Sequence, residues 1–344
     1  MELSLRKQAV LKAIIKAYIE TGEPIGSKNL TALIENAPSS ATLRNEMSEL
    51  CELGLLCQPH TSAGRIPTNN GYRLYVDSLM SHNPLEDYEK DVIDSALKEL
   101  NCEPEGIPAA AAQILSRQTK LPVIACLITK RPPKIKKVEL FPIGKNSAML
   151  LVITDDGRTR SRVFRYTNEP TLEQRECFKR LVDTRIKQKT VDQLNLGYMQ
   201  SVIAEAGIYS LDVMPLLTAV LGCAAEIEES GITLRNENAL YNVCGDEAKA
   251  QKLISLIKQG DPIISLLEGI KDNVGAVFGT DTGYSELEKG TIIAAKFSLA
   301  DKYKGYIAVI GPNRMSYEKI IPATEYTAKR LTEIMTEAQK DMED

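Results

Sequence analysis

Residues 39–75 read SSATLRNEMSELCELGLLCQPHTSAGRIPTNNGYRLY. Ser39 is a good amino-terminal cap, and the spacing after it predicts a helix over 40–53. Leu43, Met47, Leu50 and Cys51 share one face of that helix. Thr42, Arg44, Asn45 and Ser48 lie away from that face, crowded toward its first turns. Gly54 ends the helix, Leu55, Leu56 and Cys57 read as a strand, and Thr61-Ser62-Ala63-Gly64 is turn chemistry. Arg65 and Ile66 begin a return strand, and Thr68 caps a helix predicted from 69 to about 80. Helix, hairpin, helix is the recognition half of a winged helix-turn-helix, a shape that sets one helix end into the DNA major groove.

Upstream, Ser4 caps a helix predicted to about residue 20, with Leu11, Ile14, Ile15 and Tyr18 in one apolar stripe. Thr21-Gly22 stops it, and Ser27 caps a second short helix predicted over 28–34. The chemistry of the third helix then suggests its contacts. The Arg44 guanidinium suits a forked bond to guanine and the Asn45 amide suits adenine. Ser39, Ser40 and Thr42 are short hydroxyls suited to phosphate oxygens beside free helix N–H groups. His60, Thr61, Ser62 and Arg65 occupy the wing, within reach of backbone or minor groove. The charge count argues the other way. Residues 1–80 hold 8 Lys/Arg (6, 7, 12, 16, 28, 44, 65, 73) and 8 Asp/Glu (2, 20, 23, 35, 46, 49, 52, 77). Phosphate contacts normally supply much of the affinity, so a neutral module needs placed charge or two copies on one site. Arg6, Lys7, Lys12 and Lys16 crowd the first helix and are the obvious reserve of positive charge.

At 344 residues, with 43% hydrophobic and 26% charged content, the chain has room for two or three domains with their own cores. Its net charge of −4 excludes a bulk attraction to polyanions. Seven cysteines without a CxxC pair, and only two histidines, argue against a zinc cluster and for reduced thiols in the cytoplasm. The start, MELSLRKQAV, lacks the apolar core of a signal peptide. The longest uncharged apolar stretch, 213–225, is short of the roughly 20 residues a membrane helix needs. No membrane partner is expected.

Beyond a linker at 80–84, residues 85–118 read as helical with a break at 103–108. Strands are predicted at 121–129, 135–143, 148–154 and 162–166, with Asp155-Asp156-Gly157 a hairpin signal. Residues 171–229 read as helical, 238–244 as a strand, and 246–258 and 262–268 as helices. Strands return at 274–278, 291–298 and 306–310 before a final helix over 317–340. The order is α+β with one mainly antiparallel sheet, the order a GAF-like domain with an insert would show. Residues 130–165 carry 10 Lys/Arg (130, 131, 134, 136, 137, 145, 158, 160, 162, 165) against 3 Asp/Glu (139, 155, 156), read as a solvated strand edge ahead of a second DNA surface. Val213, Met214, Leu216, Leu217, Val220 and Leu221 form an apolar helix face inside the insert, either ordinary core or a dimer interface.

No Walker A, dinucleotide-binding, HExxH or GxSxG motif is present, and both histidines lie at the reader. Catalytic residues, cofactor-binding residues and metal ligands are all expected to be none. A non-enzyme is expected.

The segments TGEPIGSKNL, ATLRNEMSELCELGLL and QPHTSAGRIPTNNGYRLYVDSLM resemble the heat-inducible transcription repressor HrcA family of bacteria. Matches continue at VELFPIG (138–144), TDDG (154–157) and GPNRMSY (311–317), and 169–237 matches only loosely. Ser40 stands where the family pattern usually has proline, and Asn313 where it usually has threonine. The resemblance implies a fold class of α+β multidomain type: a winged helix-turn-helix over 1–80, a GAF-like α+β domain over 85–144 and 251–344, and an inserted dimerisation domain over 145–250. It implies a homodimer that binds double-stranded DNA at the CIRCE inverted repeat and represses chaperone operons such as groE and dnaK. The GroEL chaperonin is the implied modulating partner. Two other classes stay open. One is a ligand-responsive regulator of another regulon with the GAF-like domain as sensor. The other is a chaperone-docking adaptor without DNA affinity.

Overall fold

The computed structural model describes every residue except 1–2, 61–62, 82, 99–105, 130–131, 145–146, 156, 166–169, 230–231, 300–302 and 344. The chain divides into two compact units. One is formed by Met1–Cys126, Thr233–Leu299 and Gly305–Asp344, the other mainly by Leu127–Ile232.

The first unit opens with the reader. Helix α1 (Leu5–Thr21) is capped by Ser4, whose hydroxyl accepts from the Lys7 amide, and ends at left-handed Gly22. It buries Val10, Leu11, Ile14 and Ile15. Helix α2 (Ser27–Leu30) is a single turn, shorter than the 28–34 expected, because hydrogen-bonded turns replace the helix after Leu30. Helix α3 (Ser40–Glu52) buries Leu43, Met47 and Leu50 and is capped by the Ser39 hydroxyl. Strands β1 (Leu56–Cys57) and β2 (Ile66–Pro67) pair antiparallel as the wing. The wing is braced by a bridge in which Arg65 and Ile25 exchange backbone bonds of 2.9 and 3.0 Å. Gly64 permits this approach, since a Cβ there would collide with the Ile25 carbonyl. Helix α4 (Asn69–Leu74), capped by Thr68, runs directly into a π-helical turn over Tyr75–Leu79.

Helices α5 (Asp87–Lys98) and α6 (Ile107–Thr119) lead into strand β3 (Val123–Thr129). The chain then builds the second unit. Strands β4 (Ile135–Gly144), β5 (Ser147–Thr154) and β6 (Thr159–Arg165) form their own three-stranded antiparallel sheet. Helices α7 (Leu172–Leu181), α8 (Leu196–Ala204) and α9 (Ser210–Glu229) complete it. Ala148, Leu150 and Val152 are buried on one face of β5, while Met149, Leu151 and Ile153 between them are only half-buried. Helix α9 buries Val213, Leu216, Leu217, Val220, Cys223, Ala224 and Ile227, the three- and four-residue spacing of a core stripe.

The chain returns to the first unit through strand β7 (Ile232–Arg235) and helices α10 (Leu240–Cys244), α11 (Glu247–Gln259) and α12 (Asp261–Glu268). Strands β8 (Val274–Phe278), β9 (Gly290–Leu299) and β10 (Tyr303–Pro312) precede the long helix α13 (Tyr317–Glu343). A five-stranded sheet results, ordered β7-β3-β10-β9-β8. Residues 291–295 and 305–311 are buried without alternation, as central strands covered on both faces are.

The α+β multidomain class stands, with corrections inside it. Among the described residues there are two larger sheets, not one, because β4 pairs there with β5 alone and so belongs to the second unit. That unit spans Leu127–Ile232, whereas the sequence pattern suggested an insert over 145–250. Residues 238–244, expected as a strand, are helical: left-handed Asn236 and Gly245 bracket the segment, and Leu240, Val243 and Cys244 are buried at helical spacing. The strand in this region is β7, immediately after the helical stretch. The dimer candidates are also redistributed. Val213, Leu216, Leu217 and Val220 are core, Leu221 packs partly against it, and of the six only Met214 is exposed, at 43%. The continuous helical segment Gly207–Ile227 is, by length and composition, long and apolar enough to cross a membrane, contrary to the expectation from 213–225. Its buried stripe makes it the core helix of this unit.

Candidate nucleic-acid interface

The first turns of α3 present Ser39, Ala41, Arg44 and Asn45 to solvent. Ser40 and Thr42 are half-buried, and both hydroxyls are engaged locally. The Ser40 hydroxyl lies 2.9 Å from that of Ser27, and Thr42 Oγ1 lies 2.9 Å from Ser39 Oγ. The Ser39 oxygen also accepts from the Thr42 amide at 3.2 Å. Arg44 and Asn45 are therefore the exposed long side chains of the face, and Ser40 and Thr42 fix its shape. Ala41 adds a methyl group of the kind that meets thymine.

On the wing, His60 is exposed, while the Arg65 side chain is half-buried. Arg65 Nε is buried and makes no hydrogen bond among the described residues. Thr61 and Ser62, expected as wing contacts, lie outside the described residues. The sequence reading missed Lys28 and Asn29, both exposed on α2, which the Ser27–Ser40 bond ties to the first turn of α3. A basic residue just inside the helix that precedes a recognition helix was the available signal.

The positive charge of α1 is engaged elsewhere. Lys7 Nζ lies 2.8 Å from Glu49 and 3.4 Å from Glu46, and Arg6 lies 3.7 Å from Glu46. The Glu49 carboxylate, followed by that of Glu46, holds the Lys7 ammonium above its ordinary range. Lys12 donates to Ser81 Oγ at 3.1 Å, and Lys16 pairs with Glu318 at 2.9 Å. The neutral count over 1–80 thus hides an asymmetry. Glu46 and Glu49 of α3 face α1, leaving Arg44 and Lys28 on the outer side. The basic run of 130–165 belongs to the second unit, where Arg162 pairs with Glu226 at 3.0 Å and Arg158 donates to the Ile227 carbonyl.

The family profile described as winged helix-turn-helix transcription repressor, HrcA DNA-binding, matches residues 2–78, and that of the HrcA protein C terminal domain matches 106–321. The chain belongs to the HrcA family. The HrcA of Clostridium tetani, a heat-inducible transcription repressor, is 32% identical over 331 residues, 93% of this chain and 92% of its own. That of Acetivibrio thermocellus is 30% identical over 342 residues, covering 97% and 96%. A crystal structure of a hypothetical protein superposes with a TM-score of 0.68 at 24% identity, covering 98% of this chain and 100% of that one. That last likeness concerns the fold. Within the HrcA frame, the segment holding Arg44, Asn45 and His60 falls inside the DNA-binding profile. The HrcA family is one of transcription repressors, the class to which the sequence pointed.

Proposed function

We propose that this chain represses heat-shock operons by binding an inverted-repeat operator as a homodimer. Arg44 and Asn45 read base edges in each half-site. Ser39 and Lys28 meet phosphate, and His60 and Arg65 brace the wing. The observation that carries this reading is the sorting of charge on α3, with its acids turned to α1 and Arg44 and Asn45 turned out. Family membership supports heat-inducible repression, CIRCE as operator, groE and dnaK as targets, and GroEL as modulator. A cytoplasmic, non-catalytic protein follows from the same role.

Pairing through the second unit is supported by its apolar surface. Phe141, Met149 and Val163 stand directly opposite one another across β4, β5 and β6, with Phe141 and Val163 exposed. Ile208 and Leu211 are 88% and 77% exposed beside Met214. Apolar area of this kind on a soluble protein marks an interface. The decisive experiment is a gel-shift titration on a CIRCE duplex with salt varied, run beside sedimentation of the free protein. Steeply salt-dependent binding by a dimer is expected. A monomer indifferent to the duplex at low salt overturns the reading.

A further inference from the structure

Four polar contacts join the reader to the C-terminal part of the same compact unit, all converging on α4, its π-helical turn and the loop that begins α13. Glu318 accepts from the Tyr75 hydroxyl at 2.9 Å and pairs with Lys16 of α1 at 2.9 Å. The Asn313 amide donates to Asn69 Oδ1 at 2.6 Å, while its oxygen accepts from Thr291 at 2.8 Å. Arg73 pairs with Asp281 and stacks over Phe278, its guanidinium carbon 5.3 Å from the ring centre. Arg314 lies directly against Gly22, the left-handed residue closing α1. Beneath these lies an aromatic base in which Tyr72 and Tyr317 ring centres are 5.9 Å apart. The π-helical turn at Tyr75–Leu79 is the rare geometry that tends to sit at functional positions, and here it carries Tyr75 to Glu318.

We propose that Glu318 and Asn313 are positioning residues for DNA binding: through Lys16, Tyr75 and Asn69 they latch the reader to the C-terminal domain, so paired readers meet both halves of an inverted repeat in one geometry. The inference rests on the dimeric, operator-binding reading above. The physical reason is effective concentration. A reader held in place makes the second half-site contact intramolecular, and a reader free to swing dilutes that contact. Apart from its aromatic base the junction is built from hydrogen bonds and part-exposed ion pairs, individually weak and separable without unfolding either side. Burial alone would raise the Glu318 carboxyl, but the Lys16 ammonium and the Tyr75 hydroxyl outweigh it and hold it below its ordinary range.

The test compares full-length wild type, Lys16→Glu, Asn313→Ala and the exchange Lys16→Glu with Glu318→Lys. Each is titrated against a CIRCE duplex and against a duplex carrying one half-site. The two single variants are expected to lose at least about tenfold in affinity for the full repeat while half-site affinity stays within about twofold, and the exchange, which rebuilds the ion pair but not the Tyr75 bond, recovers part of the loss. Amide hydrogen exchange of residues 75–80 is measured without DNA, and is expected to quicken in Lys16→Glu and recover in part in the exchange. Equal losses on both duplexes, or unchanged exchange, overturn the latch. If wild type ignores both duplexes, the operator reading fails, and the exchange arm still decides whether the latch exists.

Discussion

The hydroxyls of Ser27 and Ser40 lie 2.9 Å apart and join α2 to the first residue of α3. Ser40 occupies the position just inside the cap, where proline is favoured because that N–H has no helical partner. Ser40 keeps that N–H and places its hydroxyl against that of Ser27 instead. Ser27→Ala is expected to cost about 0.5–1.5 kcal/mol by thermal melting. Ser40→Pro is expected to melt within a few degrees of wild type and to retain operator binding. A collapse of binding in Ser40→Pro would mean the hydroxyl acts on DNA directly.

Arg44 stands exposed on the outer side of α3, with no acidic partner among the described ion pairs. Arg44→Ala should weaken operator binding by about 1–3 kcal/mol and relax preference at one base pair of each half-site. Competition against single-base operator variants measures it. An equal loss on every sequence would place Arg44 on phosphate instead.

Lys28 and Lys7 form a contrasting pair. Lys28 is exposed on α2 and pairs with no acid among the described residues, whereas Lys7 is tied to Glu49 and Glu46. Lys28→Ala should shrink the slope of log affinity against log salt by about 1 per reader, while Lys7→Ala should leave it unchanged. A smaller slope for Lys7→Ala would show that α1 touches the duplex.

Glu318 links the reader to proton concentration, faced by Lys16 and the Tyr75 hydroxyl. Its folded-state carboxyl is held below the ordinary range, so the folded chain binds fewer protons than the unfolded one. The stability it contributes is complete above about pH 5 and is lost as pH falls through the depressed folded value. Melting temperatures across the acid range should fall less steeply in Glu318→Gln than in wild type.

The two faces of α9 should separate stability from assembly. Leu217 is fully buried, so Leu217→Ala should cost about 2–5 kcal/mol. Leu211 is exposed, so Leu211→Glu should leave melting of the monomer unchanged and weaken dimerisation in sedimentation. Dimerisation unaffected by Leu211→Glu and by Val163→Glu would move the interface elsewhere.

The sequence by itself determined the reader. Caps at Ser4, Ser39 and Thr68 and the Leu43–Met47–Leu50 stripe are local signals, each set by residues within one or two helical turns. It also determined the family, through contiguous strings that the winged helix and its wing require. Tertiary structure alone decided which charges are free, because Lys7, Lys12 and Lys16 look alike along the chain and differ only in the partners that packing brings. It decided that β4 leaves the larger sheet and that the apolar face of α9 is core, since strand pairing and burial depend on neighbours distant in sequence. The contact of Asn69 with Asn313 spans 244 positions, and no local pattern encodes a bond of that reach.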